Sequence, residues 1–589
     1  MYRAPVSEIA FTLKHVAGLA DVLAHEGHAE VTDDLVDAIL EEAGRFAAEE
    51  IAPLNAPGDR VGAKLENGEV TMPPGWREAY RAWAQGGWNS LTGSPEFGGQ
   101  GLPMMLHAAA LEMWNSGSMA FAIGPTLTMG AVEALEKHAS RELQDTYLPK
   151  LVSGEWMGTM NLTEPQAGSD LNALRARAEP VGDGTYRIFG QKIFITFGEQ
   201  DFTDNIVHLV LARLPDAPAG TRGISLFLVP KFFVNADGSL GKRNDVRCAG
   251  IEHKLGIHAS PTCTMVYGDE GGAIGWLIGE ENRGLACMFT MMNNARLSVG
   301  IQGLGVAERA TQQALAYANE RRQGRVAGDT GEGMSPIAGH PDIRRTLLAM
   351  QAWTQVARAA CFTNAHAIDM ARLAGDADAR THWSERAATL TPIAKALSTD
   401  IGVEVASLGV QIHGGMGYVE ETGAAQHLRD ARIAPIYEGT NGIQAIDLVT
   451  RKLPLSGGDH IRGLIAELSA IAQEAHGAGS ELADAGSRLE RALGSLSDAA
   501  EWMLEALGEG RQSEALAGAT PFLRLMGIAY GGAMLVKGAL ACRGEQSPAA
   551  ERRLLLARYF AAAHLAETAA LKEQVIAAAD AVLAYDPAA

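Results

Sequence analysis

Residues 431–444 read Ala-Arg-Ile-Ala-Pro-Ile-Tyr-Glu-Gly-Thr-Asn-Gly-Ile-Gln and set one carboxylate, Glu438, against a Gly-Thr step in otherwise apolar surroundings. Pro435, Ile436 and Tyr437 precede it and Gly439 follows, so partial desolvation is expected to raise its pKa toward the range where a carboxylate accepts protons usefully. Glu438 is a candidate general base. Read locally, a loop glutamate ion-paired with Arg432 or Arg429 is the simpler alternative. Two further stretches could bind a planar ring or an anion. Asn161-Leu-Thr-Glu-Pro-Gln-Ala-Gly-Ser-Asp170 offers hydroxyl and backbone donors at Thr163, Gly168 and Ser169, with a turn capping the next segment as the alternative. Phe189-Gly-Gln-Lys-Ile-Phe-Ile-Thr196 reads as a strand whose alternation puts Phe194 and Thr196 on one face, an aromatic to stack and a hydroxyl to hydrogen-bond. Any half-buried strand uses the same pair structurally.

Other candidates carry less. Gly98, Gly99 and Gly101 have no preceding strand and no basic neighbour, so a structural turn is expected rather than a phosphate cradle. His25 and His28 stand three apart rather than four, which suits a solvated turn better than a metalloprotease helix, and no metal site is expected. Met288, Met291 and Met292 beside Asn293, with Met113, Trp114 and Met119, could line an apolar pocket or simply fill a core.

The elements that must position these residues follow from length and pattern. A chain of 589 residues is too long for one hydrophobic core, so three or four domains are expected. A composition of 47% hydrophobic and 20% charged residues is that of a globular protein, and a net charge of −21 repels phosphate polymers and anionic lipid, so no nucleic-acid partner is expected. Five scattered cysteines without a Cys-x-x-Cys pair argue for reduced thiols. No signal peptide and no uncharged apolar run of about 18 residues is found, so no membrane span is expected and the cytoplasm is the expected location.

Helical spacing from Leu35 to Ile51, with Pro53 as its stop, opens a helical region over residues 1–157, with further helical stretches at 108–115, 126–137 and 141–151. Short β-type runs at 186–189, 192–196, 205–212, 223–230 and 262–267 make residues 158–284 a β domain, with 276–284 read as a turn. Helical stretches at 294–321, 340–374, 383–408 and 444–452 make residues 285–453 an antiparallel four-helix bundle. A linker at 454–458 leads to an alanine-rich helical extension over 459–589. The fold class is therefore α+β multidomain: an N-terminal helical domain, a central β-barrel-like domain, a C-terminal bundle and an additional helical domain.

Taken with Tyr437-Glu438-Gly439-Thr440 and Gln411-Ile-His-Gly-Gly-Met-Gly417, this α, β, α order resembles the acyl-CoA dehydrogenase family over residues 31–452. In that family FAD lies between the β domain and the bundle without a Rossmann fold, in agreement with Gly303-Leu-Gly305 sitting inside a helical run. The resemblance implies that Thr163, Gly168 and Ser169 line the flavin and thioester region, that Phe194 and Thr196 contact the isoalloxazine ring, and that Thr440 follows the base. It implies that Arg321, Gln411 and Gly415 reach the FAD of a neighbouring subunit, hence a homodimer or higher oligomer. It also implies Glu438 as the base, its backbone N–H and a ribityl hydroxyl on the thioester carbonyl, and flavin N5 as hydride acceptor. Some members carry the base just before the arginine of the first bundle helix; here that position is Ala295, before Arg296, so Arg296 is read as an electrostatic partner. Where many members have glutamine, this chain has Gly442, so the resemblance does not carry over that one side-chain contact to FAD.

Within the family, the N-terminal segment and the helical extension look like the long subclass that acts on 3-methylmercaptopropionyl-CoA in dimethylsulfoniopropionate breakdown. That implies a methylthio acyl-CoA substrate and an electron-transfer flavoprotein as electron acceptor. The alternatives are a general fatty acyl-CoA dehydrogenase of β-oxidation, an acyl-CoA oxidase, and a non-catalytic acyl-CoA-binding protein.

Overall fold

The computed structural model describes residues 2–328 and 330–588, with Met291 and Asn293 described as backbone only. The chain divides into two compact units, one of residues 45–103 and 117–295, the other of residues 2–44, 104–116 and 296–589.

The first unit is built on an eight-stranded sheet. Its strands lie in the order Val246–Ile251, Thr262–Tyr267, Tyr186–Thr196, Ala273–Ile278, Ser225–Pro230, Ile206–Ala212 and Met157–Asn161, with Arg177–Pro180 pairing onto Tyr186–Thr196. Every pairing is antiparallel except that of Met157–Asn161 with Ile206–Ala212. Ile206–Ala212 and Ser225–Pro230 are buried at every position, which is why they read as continuous apolar runs rather than alternating ones. The segments expected at 186–189 and 192–196 form one strand, and residues 273–278, partly read as a turn, form another. Met157–Asn161, Arg177–Pro180 and Val246–Ile251 gave no clear strand signal in the sequence.

Helical segments pack against this sheet. A Cβ on Gly158 would fall 2.5 Å from Ala131 Cβ, so the absence of a side chain lets helix Met104–His138 lie directly on the Met157–Asn161 strand. Ser118 interrupts that helix with extended φ/ψ. Pro53 does not stop the first long helix as expected: Asp33–Phe46 continues through a π-helical turn, Ala47–Ile51, into Ala52–Val61. There Pro53 sits in the opening turn, where a missing N–H costs little. The glycine-rich stretch at 94–103 is a tight turn, closed by Gly99 N–H donating to Ser94 O at 2.9 Å.

In the second unit, helix Gly284–Glu320 contributes its residues from Arg296 on, packed with Pro341–Leu373 and Ala377–His413. A Cβ on Gly300 would meet Ala394 O at 2.4 Å and one on Gly303 would meet Ser398 O at 2.2 Å, so these two helices cross backbone to backbone. The Gly-Leu-Gly step thus serves helix packing. The extension forms helices Asp459–His476, Ser480–Gly508, Ala519–Ala541, Pro548–Ala563 and Glu567–Ala577, and belongs to this same unit. Gly531 lets Ala519–Ala541 close onto Val356, and Tyr530 Oη donates to Thr363 Oγ1 at 2.8 Å. The extension also holds the N-terminal segment: Glu8 pairs with Arg552 at 2.9 Å and Arg553 at 3.1 Å, and Lys537 Nζ donates to Val16 O at 2.8 Å.

Among the described residues, two helices, Met104–His138 and Ala519–Ala541, are long and apolar enough to cross a membrane, but 83% and 78% of their apolar windows are buried inside the protein, as in core helices. All five cysteines are free and buried.

A buried ion cluster ties three helices of the second unit: Arg358 donates to Glu112 at 2.6 Å and to Glu308 at 2.8 Å. Removing one member leaves uncompensated buried charge, so Arg358→Met is expected to destabilise the protein by about 3–5 kcal/mol. The measurement is the urea unfolding midpoint of purified holoenzyme; an unchanged midpoint would show the cluster to be energetically neutral.

Candidate active site

Glu438 lies in a turn between helices Ala424–Ala431 and Asn441–Asp447, with φ +55°, followed by Gly439 at φ +81°. Two successive left-handed residues reverse the chain sharply, and only the second is a glycine. For a glutamate that conformation costs roughly 1–2 kcal/mol, so the surroundings must hold it. Glycine suits position 439 on two counts, its positive φ and the space: a Cβ there would fall 2.8 Å from Gln444 Nε2 and displace that amide. Gln444, fully buried, donates Nε2 to the carbonyls of Glu438 and Gly439, both at 3.3 Å. Thr440 caps Asn441–Asp447 by accepting from Ile443 N at 3.2 Å, and its O–H is left to donate.

The charges around Glu438 come from the two helices that cross at Gly300 and Gly303. Arg296 stands one turn before Gly300 and is buried, its Nη1 3.5 Å from Asp447 Oδ2. Lys395 follows Ala394, the residue at the crossing, and is fully buried. Glu438 keeps partial solvent exposure as a residue, yet the protein around its carboxyl raises the pKa above the ordinary value of 4.5 by desolvation, opposed by the charges of Arg296 and Lys395. The local ion pair weighed from sequence does not describe this site: Arg429 pairs with Glu420 at 2.8 Å. Tyr437 Oη donates to Gln302 Oε1. Ala295 is buried and carries no titratable group.

In the first unit, the strand pair Tyr186–Thr196 and Thr262–Tyr267 shifts register between Cys263 and Met265, so Ile193 and Phe194 together oppose one residue. The bulge puts Phe194 at φ +59° and leaves it 59% exposed. Ile195 is buried, and Thr196, on Phe194's side of the strand, is half-buried opposite Thr262. Thr163 is half-buried and its carbonyl accepts from Ile193 N at 2.9 Å, which brings the Thr163 segment beside the bulge. Gly168 and Ser169 are exposed, and a Cβ on Gly168 would meet no atom within 4 Å. Asp170 does cap the next turn, accepting from Asn172 N at 2.9 Å, and leaves Ser169 uncommitted by that cap. An exposed aromatic face, hydroxyls on either side and open backbone fit a planar ring with polar edges such as a flavin. Glu164, between Thr163 and Gly168, is anchored by Lys192 at 2.8 Å and by the backbone N–H groups of Arg175 and Ala176.

Arg321 lies just beyond helix Gly284–Glu320, and Gln411 and Gly415 at the end of Ala377–His413; all three are exposed. Tyr317 stacks on His413 at 4.3 Å, which brings these two helix ends together. Gly442 is open: a Cβ there would approach nothing closer than 3.7 Å, so no steric constraint requires glycine at this position. Met113, Trp114, Met119 and Met288 are buried core residues, Met292 is half-buried, and Met291 and Asn293 lie outside the residues whose side chains are described. His25 and His28 are both half-buried, at the start and end of a single 3₁₀ turn, and no metal-binding cluster occurs among the described residues.

Sequence reasoning missed Lys395, Asn441, Gln444 and Asp447. One signal was available for Lys395, a lone charge inside the apolar helical run Ile393-Ala-Lys-Ala-Leu397.

Four family models match in succession: acyl-CoA dehydrogenase N-terminal domain over residues 34–155, middle domain over 159–269, C-terminal domain over 282–453, and acetyl-CoA dehydrogenase C-terminal like over 464–586. The 3-methylmercaptopropionyl-CoA dehydrogenase of Ruegeria pomeroyi is 46% identical over 95% of this chain and 94% of its own length. A butyryl-CoA dehydrogenase of Syntrophomonas wolfei is 36% identical over 78% of this chain and 77% of its own. The crystal structure of an acyl-CoA dehydrogenase complexed with FAD from Bacillus anthracis shares the fold, with a TM-score of 0.75 at 22% identity, covering 93% of this chain and 88% of the other. The chain belongs to the acyl-CoA dehydrogenase family, FAD-dependent oxidoreductases acting on the CH–CH group of acyl-CoA, in a form that carries an additional C-terminal helical domain.

Proposed function

We propose that Glu438 is the catalytic base of this dehydrogenase and that its substrate is 3-methylmercaptopropionyl-CoA, converted to methylthioacryloyl-CoA. The observation that carries the base assignment is a carboxyl on a strained left-handed turn, raised in pKa by desolvation and flanked by Arg296 and Lys395. A desolvated carboxylate is a stronger base, and the two cations keep a working fraction of it ionised. It takes the α-proton of the thioester as the Cα–H bond breaks and the Cα–Cβ double bond forms. Strain at Glu438 supports a functional role, since such a conformation persists only where the surroundings enforce it. FAD, when bound, supplies the two-electron acceptor that the loss of two hydrogens requires.

Thr163, Gly168, Ser169, Phe194 and Thr196 would hold FAD from the first unit, and Thr440 has a free hydroxyl donor. Arg321, Gln411 and Gly415 would serve the FAD of a second copy in a homodimer or larger assembly. The exposed Met416, Tyr418 and Val419 beside them support that reading. An electron-transfer flavoprotein would reoxidise the enzyme, and the cytoplasm would be its location. The methylthio substrate is supported by the Ruegeria pomeroyi relative, and the butyryl-CoA dehydrogenase relatives support a straight-chain alternative.

Glu438→Gln is expected to keep its FAD while anaerobic flavin bleaching by substrate slows by at least about 10²-fold; near-normal bleaching removes Glu438 from the mechanism. Because the base must be ionised and its pKa is raised, turnover in the wild type is expected to fall with decreasing pH through a midpoint above 4.5. A pH–rate profile flat down to that value contradicts the assignment. Among CoA thioesters, the methylthio substrate is expected to give the highest kcat/KM, and equal or better turnover of straight chains by the same enzyme would replace it with a general fatty acyl-CoA specificity.

A further inference from the structure

Beyond the charge it places near Glu438, Lys395 is a fully buried cation set against the residues that follow Glu438. Its Nζ donates to Gly439 O at 2.9 Å and to Asn441 Oδ1 at 2.8 Å. Asn441 is itself fixed, donating Nδ2 to Ala396 O at 3.1 Å, Thr399 Oγ1 at 3.0 Å and Asp400 Oδ1 at 2.7 Å, all on the helix that carries Lys395. Its backbone N–H closes the turn onto Pro435 O at 3.0 Å. The loop bearing Glu438 is thereby tied to helix Ala377–His413 through one ammonium and one amide, at Gly439, the second residue of the left-handed step, and at Asn441, two residues on. Burying an ammonium is unfavourable unless its donors are satisfied, and a neutral side chain would pack the same space without that cost. Lys395 spends two of its three donors on this loop.

We infer that Lys395 is a positioning residue for Glu438: by gripping the Gly439 carbonyl and Asn441 it holds the left-handed Glu438–Gly439 step, aims the carboxyl in one direction, and keeps a positive charge beside it. The inference rests on the reading of Glu438 as the base. It is distinct from the role of Arg296, which offers charge from the neighbouring helix and makes no hydrogen bond to the loop that the structure records.

The charged groups facing this site are Arg296 from helix Gly284–Glu320, Asp400 from the helix of Lys395, and Glu438 from the loop. Beyond them, Asp447 and Lys452 face Arg296, and Arg524 faces Asp400. Burial pushes Lys395 down to about 7, against the pull of Glu438 and Asp400. In its charged form the ammonium favours the ionised carboxylate of Glu438, opposing the upward push of desolvation. Loss of that charge raises the pKa of Glu438, so the acid limb of activity moves to higher pH.

The test uses the FAD-loaded enzyme and three variants, Lys395→Met, Lys395→Gln and Glu438→Gln, with 3-methylmercaptopropionyl-CoA and butyryl-CoA as probes. The readouts are the anaerobic rate of flavin bleaching as a function of pH, KM, FAD content and the thermal unfolding midpoint. Lys395→Met removes both the donor and the charge. It is expected to slow bleaching by at least about 10-fold with KM within about 3-fold, and to move the acid limb upward by about one pH unit. Lys395→Gln keeps a donor for Gly439 O without the charge, so it is expected to recover part of the plateau rate while the limb stays displaced. Wild-type rate and limb in both variants overturn the inference. So does a loss confined to FAD content and unfolding midpoint with the limb unmoved, which assigns Lys395 to the scaffold. If Lys395→Met does not fold, the limb of Lys395→Gln decides alone. Glu438→Gln separates the two readings: full bleaching in that variant sinks the base assignment whatever Lys395 does, while an inert Glu438→Gln beside wild-type-like Lys395 variants sinks only this inference.

Discussion

The site depends on how closely two helices can approach. Where Gly284–Glu320 crosses Ala377–His413, the Cβ positions of Gly300 and Gly303 are already occupied by carbonyl oxygens of the other helix. A side chain at either glycine would push the helices apart by roughly the size of a methyl group. Arg296, one turn from the crossing, and Lys395, next to it, owe their places beside the Glu438 loop to that contact. Close-packed interiors do not absorb such a change by small adjustments, so the crossing and the electrostatics of Glu438 stand or fall together.

The same unit explains how a loop carboxylate can be held in an unfavourable conformation. A left-handed glutamate is disfavoured by roughly 1–2 kcal/mol, and a charge-assisted hydrogen bond returns about 1.5–3 kcal/mol when its partner is buried. Lys395 makes two and Gln444 adds two neutral ones to the carbonyls of Glu438 and Gly439. These sums favour the strained turn. The strain is thus sustained by groups that are themselves costly to bury, a pattern that suits a reacting group better than a passive turn.

In the first unit a different device exposes an aromatic ring. A bulge in the strand Tyr186–Thr196 reverses the φ of Phe194 and turns that side chain out of the sheet, while Ile195 stays in the core. Two motifs far apart in sequence, Thr163 to Ser169 and Phe194 to Thr196, meet because Ile193 N donates to Thr163 O. The C-terminal helices, for which no motif suggested a task, share a compact unit with the bundle and bind the N-terminal segment through Glu8, Arg552, Arg553 and Lys537.

Much of this was legible in the residues. The α, β, α order, the helical extension and the largely apolar strands at 206–212 and 225–230 follow from hydrophobic patterning, because burial on one face or two leaves its mark directly on residue type. Glu438, Phe194 and Thr196 stood out from their immediate neighbours. Three kinds of feature did not. Pro53 reads as a stop signal but sits in an opening turn, since proline is tolerated wherever a helix N–H would be unpaired anyway. Strands such as Arg177–Pro180 carry little β propensity and exist because Tyr186–Thr196 offers them a partner. Lys395 looked like one charge in a helix, and only the packing of Ala377–His413 against the loop at 438–441 decided that its ammonium is buried, what it holds, and how Glu438 is poised. Residue types determine which groups can do the chemistry; desolvation, strain and pairing over 43 positions of sequence from Lys395 to Glu438 exist only once the chain has closed on itself.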